Sequence, residues 1–413
     1  MAKKYKEDRC IIKVGDFKIG NEEINAILDV LKSDRITEGP KVAEFEKKWS
    51  EFVGTAHSIL VNSGTSALVA GLLALKYRYN LPNGTKVVTS PVTYIATVNA
   101  IVLTGFKPVF VDIDPCVFAL NIEELEEVVK KDENIKIIIP VHLMGYMNYM
   151  NDLIRICRDH DLILFEDAAQ AHGSTYNGKK AGSFGLLSTF SFYIAHNIQA
   201  GELGVVNTSD SEIYRLIKKL KANGRMCDCK VCLRSKGKCP KLPILRRDYP
   251  EKDYDPRFLH DIVGYNFKTM DIQAALALEQ LNKIDWIIKK RQENVKILNE
   301  GLERFSDILQ LPVYSKDISY LAYPIIIKKP NNISRRELRE KLEKKGIETR
   351  PLFGCIPTQQ PAYKFLAEEY AKELPNADYI GENGFYIGCH QYLKEKDLEY
   401  IIESFKNILS NVK

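Results

Sequence analysis

Ser191-Phe192-Tyr193-Ile194-Ala195-His196-Asn197-Ile198-Gln199-Ala200-Gly201-Glu202 is the stretch on which the reading of this chain turns. A short β-prone run, 187–192, leads into it, and a second, Leu203-Gly204-Val205-Val206, follows it. Upstream, apolar runs and amphipathic segments alternate. The spacing predicts strands over 58–61, 86–89, 108–112, 135–141 and 162–166, with helices between them over 66–79, 121–131 and 151–159. That βαβα order calls for a mostly parallel sheet covered by helices on both faces.

Outside this block the pattern changes. Residues 1–13 read as a charged N-terminal arm, poorly ordered. Helical spacing over 21–33 is broken by Arg35-Ile-Thr-Glu-Gly-Pro40 and resumes over 42–52. Residues 224–260 form an insert rich in Cys, Lys, Arg, Pro and Asp with little periodicity. A long helix over 270–305 leads to a strand at 321–327 and helices at 334–345 and 395–409. The division expected is a large domain over 14–285, carrying the insert, and a small C-terminal α/β domain over 286–413.

Apolar residues make up 45% and charged residues 27% of the 413, an ordinary soluble composition. A net charge of +5 gives no argument for nucleic acid or a membrane surface. The first residues lack the apolar core of a signal peptide, and no run approaches a membrane span. Nine cysteines, five scattered and four clustered, fit a reducing cytoplasm with one metal or cluster site.

Several segments carry candidate chemistry. Val61-Asn62-Ser63-Gly64-Thr65-Ser66 is a strand, a glycine turn and a helix start, where free N–H groups and the helix dipole favour a phosphate. A plain Ser-capped helix reads the same way. Leu162-Ile-Leu-Phe-Glu-Asp-Ala-Ala-Gln-Ala-His172 is a buried strand ending in two carboxylates, a pattern shared with loop starts and helix caps. Tyr94 in Ser90-Pro-Val-Thr-Tyr and Asn266 in Gly264-Tyr-Asn read singly as a core aromatic and a turn residue.

Together, and in this order, these motifs resemble the sugar aminotransferases that use pyridoxal phosphate, the DegT/DnrJ/EryC1/StrS family. The resemblance implies the type I aminotransferase fold, in which 14–285 would be the cofactor-binding domain. It implies that Thr65, Ser66 and Ser191 bind the cofactor phosphate, that Tyr94 stacks on the ring, and that Asp167 pairs with the ring nitrogen. A carboxylate there keeps the nitrogen protonated and the ring an electron sink. Gln170 would contact the ring hydroxyl. Asn266 would reach the phosphate of a neighbouring subunit, implying a homodimer with shared active sites.

In that family the position of His196 holds the lysine that forms the Schiff base. Imidazole cannot form one, but it moves protons near neutral pH. The exchange resembles a subgroup, the pyridoxamine-phosphate-dependent 3-dehydratases of nucleotide-linked 4-keto-6-deoxysugars. There one base would remove the cofactor C4′ proton and protonate the departing C3 hydroxyl. Glu348-Thr-Arg-Pro-Leu-Phe and Phe385-Tyr-Ile-Gly-Cys-His390 are similar to segments of the same subgroup. Arg350 would bind a phosphate or sugar oxygen of the substrate, with an exposed ion pair as its alternative.

Cys227-Asp-Cys229-Lys-Val-Cys232-Leu-Arg-Ser-Lys-Gly-Lys-Cys239 places four thiols in thirteen residues, a set suited to zinc or an iron–sulfur cluster. One dehydratase branch, similar to CDP-4-keto-6-deoxyglucose-3-dehydrase, carries a [2Fe–2S] cluster in this region, fed by a reductase. It takes a ligand from the segment that here reads Asp167-Ala-Ala-Gln170, so Cys232 is the natural replacement and [4Fe–4S], [2Fe–2S] and zinc all stay open. Leu203 in Gly201-Glu-Leu-Gly204 is a further departure from the family's Gly-Glu-Gly-Gly. Basic residues around the insert would dock an acidic electron donor, a reductase or a ferredoxin or flavodoxin. The rival readings are a cluster-free dehydratase with a zinc-stapled loop and a non-catalytic aminotransferase-like regulator.

Overall fold

The computed structural model describes residues 12–33, 35–227, 237–410 and 412. Its centre is a seven-stranded sheet ordered His57–Val61, Gly204–Thr208, Leu187–Ser191, Ile163–Asp167, Ile135–Ile139, Lys86–Thr89, Lys107–Phe110. Only Gly204–Thr208 runs against its neighbours; the others are parallel. The strands are buried on both faces, and successive residues show it. Ile59 and Val61 enter one core with Leu72 and Ile217, while Leu60 enters another with Phe45, Trp49 and Phe192. Such strands read as continuous apolar runs because each face meets helices.

Four helices begin where a side chain takes over a free backbone N–H. Ser63, Asn121, Asp210 and Ser334 each accept one or two at their helix starts. Gly54, at φ +90°, ends the helix Pro40–Val53 in the left-handed conformation.

Four antiparallel strands form a second sheet, ordered Leu309–Gln310, Tyr323–Ile327, Gly384–Ile387, Arg350–Pro351. It docks on the first through particular bonds. Asn376 and Ala377 each donate a backbone N–H, at 2.9 Å, to the Asp112 carboxylate. The Ile356 N–H donates to the Pro91 carbonyl at 2.9 Å. No helix among the described residues is long and apolar enough to cross a membrane.

Three expectations need correction. The helix expected over 270–305 is two, Asp271–Leu281 and Ile284–Leu302. The buried Glu23 carboxylate takes hydrogen bonds from Gln280 and Lys283 on either side of the break, a tertiary anchor that periodicity cannot show. The irregular insert contains a short helix, Leu242–Asp248. Ile12, expected in a loose arm, exchanges backbone hydrogen bonds with Gly346 and Glu348; the arm up to residue 11 lies outside the described residues.

Candidate active site

Six parallel strands end on one edge of the sheet, at Val61, Thr89, Phe110, Ile139, Asp167 and Ser191. The expected cofactor residues Thr65, Ser66, Tyr94, Asp167, Gln170, Ser191 and His196 all lie at or just beyond these ends. In open α/β sheets this edge is where ligands bind.

The phosphate turn and the His196 loop are held close together. Ser63 caps the helix Gly64–Tyr79, accepting the Ser66 N–H at 3.1 Å. A Cβ on Gly204 would stand 2.2 Å from the Ser63 carbonyl oxygen, and one on Gly64 would stand 2.6 Å from the Ser191 Cβ. Only glycine permits this approach at either position. Thr65 is exposed and Ser66 half-buried at the first turn.

Asp167 is buried, and burial raises its proton affinity. Its carboxylate accepts the Thr97 hydroxyl at 2.7 Å and the Ala169 N–H at 3.2 Å, neither of them cationic. A buried carboxylate so placed either takes up a proton or pairs with a cation, of which a pyridinium nitrogen is one kind. Glu166, its neighbour, is structural. It accepts N–H groups of Gly182, Phe184 and Gly185 within 2.8 Å, and faces His142 Nε2 at 3.1 Å. Gln170 accepts the Met144 N–H at 2.9 Å.

The 193–199 loop is pinned at its base, where Phe192 N–H donates to Leu203 and Ala200 N–H donates to Phe192, both at 2.8 Å. Leu203 is fully buried in the core with Trp49 and Phe192, which gives the leucine at this family glycine a packing role. His196 Nδ1 lies 2.7 Å from the Ser191 carbonyl oxygen. A carbonyl only accepts, so Nδ1 carries the proton and the Nε2 lone pair is left free. Burial pushes the His196 imidazole down to about 4, the Ser191 carbonyl opposing and the Arg291 charge reinforcing the shift. It is therefore neutral, and able to accept a proton, at pH 7.

Tyr94 is 60% exposed, its ring 5.8 Å from that of Phe353. The Thr349-Arg-Pro-Leu-Phe353 segment is thus brought against the Tyr94 loop. Arg350 gives two hydrogen bonds, at 3.0 and 2.8 Å, to one oxygen of Glu348, the ion-pair alternative. Asn266 is exposed. The carbonyl of the next residue, Phe267, accepts the Asn62 N–H at 2.9 Å, so its loop flanks the phosphate turn. Of the cluster, Cys227 and Cys239 are half-buried free thiols. Cys229 and Cys232 lie outside the described residues, and among the described residues no group of His, Cys, Asp and Glu side chains is placed to hold a metal ion.

Two partners escaped the sequence reading: Thr97, whose only sequence signal is its place one turn after Tyr94, and Phe353, visible only within a quoted motif.

The sequence model of the DegT/DnrJ/EryC1/StrS aminotransferase family matches residues 18–406. The chain belongs to that family. DegT/DnrJ/EryC1/StrS relatives of both chemistries resemble it. A dTDP-4-dehydro-2,6-dideoxy-D-glucose 3-dehydratase of Saccharopolyspora spinosa is 33% identical over 93% of this chain and 84% of its own. A GDP-perosamine synthase of Escherichia coli is 32% identical over 91% of this chain and 92% of its own. Among solved structures of the fold, E. coli GDP-4-keto-6-deoxy-D-mannose-3-dehydratase with bound hydrated PLP superposes with a TM-score of 0.83 at 27% identity, covering 95% of this chain and 98% of that one. This family member is accordingly a sugar-modifying enzyme of the pyridoxal-phosphate class.

Proposed function

We propose that the chain is a pyridoxamine-phosphate-dependent C3-dehydratase of a nucleotide-linked 4-keto-6-deoxyhexose. The observation that carries this reading is the geometry of His196, the residue that the sequence resemblance sets at the cofactor-lysine position: Nδ1 is bonded to the Ser191 carbonyl and burial disfavours its charged form. When bound, the cofactor would supply an amine for the 4-keto carbon and a ring able to take up the electron pair freed by deprotonation beside it and to give that pair back for expulsion of the C3 hydroxyl. His196 Nε2 would take up that proton and deliver it to the departing hydroxyl, which leaves as water. Having no amine, His196 cannot displace the product as a lysine does, which disfavours transamination. Asp167, oriented by Thr97, would hold the ring nitrogen charged; Tyr94 would cover the ring; Thr65, Ser66 and Ser191 would hold the phosphate, with Asn266 reaching the partner copy of a homodimer. Gln170 would contact the ring hydroxyl and Arg350 a substrate oxygen.

Cys227, Cys229, Cys232 and Cys239 would hold an iron–sulfur cluster, a donor set that four thiolates satisfy. It would supply one-electron transfer from a reductase, ferredoxin or flavodoxin.

The test is incubation of anaerobically purified protein with pyridoxamine phosphate and CDP-, GDP- and dTDP-4-keto-6-deoxyhexoses. Loss of one water, abolished in His196→Asn, is expected. Transamination by the native protein would sink the reading. Iron with matching sulfide supports the cluster. Zinc without sulfide would make the loop structural and leave a redox-free dehydratase.

A further inference from the structure

Arg291, on the helix Ile284–Leu302, is fully buried. Its Nε donates to Gln391 Oε1 at 3.1 Å, and its Nη1 to the carbonyls of Tyr320 and Leu321 at 3.1 and 2.7 Å. These acceptors are all neutral, as is the Cys389 thiol beside the guanidinium, and among the described residues Nη2 has no N or O acceptor. A buried cation held only by neutral groups is costly, and an apolar side chain of similar volume would serve packing better.

What the guanidinium grips is a strap. Tyr320 sits at φ +48°, a strained position for an aromatic residue. The Ser319 carbonyl accepts Asn197 Nδ2 at 3.0 Å, and Asn197 adjoins His196. On the other side the Leu321 N–H donates to Met144, whose own N–H donates to Gln170 Oε1 at 2.9 Å. The strap thus ties Arg291 to the His196 loop and to Gln170.

We infer that Arg291 is a positioning residue for His196, fixing its loop through the Ser319–Leu321 strap. The inference rests on the reading of His196 as the acid/base. Among the described residues His196 faces the His172 ring at 5.9 Å, the Tyr193 ring at 6.1 Å and the Ser191 carbonyl, and it feels the Arg291 charge. Burial holds His172 neutral, so Arg291 is the charged side chain acting on His196. Around Arg291 stand Gln391, Tyr392 and the Cys389 thiol, which burial pushes up to about 11. His390 also feels the guanidinium and faces Asp16 and Lys18.

Gln391→Glu provides the test. The glutamate keeps the oxygen that accepts Arg291 Nε. It gives up only Nε2, which has no partner here. It sets a counter-charge against the guanidinium. The readout is the titration of His196 in the full-length protein carrying ring-labelled histidine, followed by NMR, its resonance identified by its loss in His196→Asn. The expected result is a proton affinity raised about tenfold or more, with the urea midpoint at pH 7 unchanged or raised. Arg291→Lys, which keeps the charge but loses the planar fork, is expected to leave the His196 titration near its native position while weakening cofactor binding. Native cofactor binding by Arg291→Lys, together with a His196 titration unmoved in Gln391→Glu, overturns the inference. Because the titration needs no turnover, failure of the dehydratase reading is seen separately, in the product assay.

Discussion

The Thr97 hydroxyl lies 2.7 Å from the Asp167 carboxylate and donates to it from the first turn of the helix that follows Tyr94. Two of the cofactor contacts proposed here, the ring stacker and the ring-nitrogen partner, are therefore tied to one short segment.

Thr97→Val removes that donor and little volume. Asp167, already disposed by burial to take a proton, would hold it more tightly and pair less well with a pyridinium. Pyridoxamine phosphate affinity should fall about tenfold, or roughly 1.4 kcal/mol. An absorbance titration of the bound cofactor reads this. Unchanged affinity would mean that Thr97 only packs.

Gly204→Ala would force a Cβ to 2.2 Å from the Ser63 carbonyl, a backbone atom that cannot swing aside. Either the phosphate turn moves or the strand does. The cost expected is about 2 kcal/mol or more in urea unfolding, with weakened binding of inorganic phosphate as a competitor of the cofactor. Native stability together with native phosphate binding would contradict the packing described.

Glu166→Ala would leave the N–H groups of Gly182, Phe184 and Gly185 without their acceptor. Each orphaned donor costs on the order of 1 kcal/mol or more, so the loss should be about 3 kcal/mol. The neighbouring Asp167→Ala should cost cofactor binding instead. If the two variants exchanged effects, the assignment of Glu166 to structure and Asp167 to chemistry would be wrong.

Stability should fall with acid in a defined window. His196 and His390 are both held at about 4, chiefly by burial, against an ordinary 6.5. Above pH 6.5 both are neutral in the folded and unfolded chain and contribute no pH dependence. As the pH drops from 6.5 towards 4, the unfolded chain binds protons that the folded one refuses, and stability is lost by roughly 1.4 kcal/mol per pH unit for each. Urea midpoints at pH 7 and pH 4.5 measure the loss, and His196→Asn should show a smaller one. An equal loss in both proteins would place His196 near its ordinary value.

The sequence by itself carried the sheet and the placing of its strand ends. The runs 137–139 and 163–165 are apolar without a break because both faces of the sheet are covered, and local pattern records that. The nearness of Thr65, Ser66, Tyr94, Asp167, Gln170, Ser191 and His196 to one edge was legible because each ends or follows a strand, and parallel connections deliver strand ends to one edge. Contacts between segments distant in the chain left no such trace. The helix break beside Glu23, the Thr97–Asp167 bond, the docking of Phe353 on Tyr94 and the grip of Arg291 on Tyr320 and Leu321 depend on tertiary packing. Periodicity reports which face of an element is covered, not which distant residue covers it. The tertiary structure alone therefore decided the protonation state of His196, because burial and a cation from a helix some hundred residues away set it.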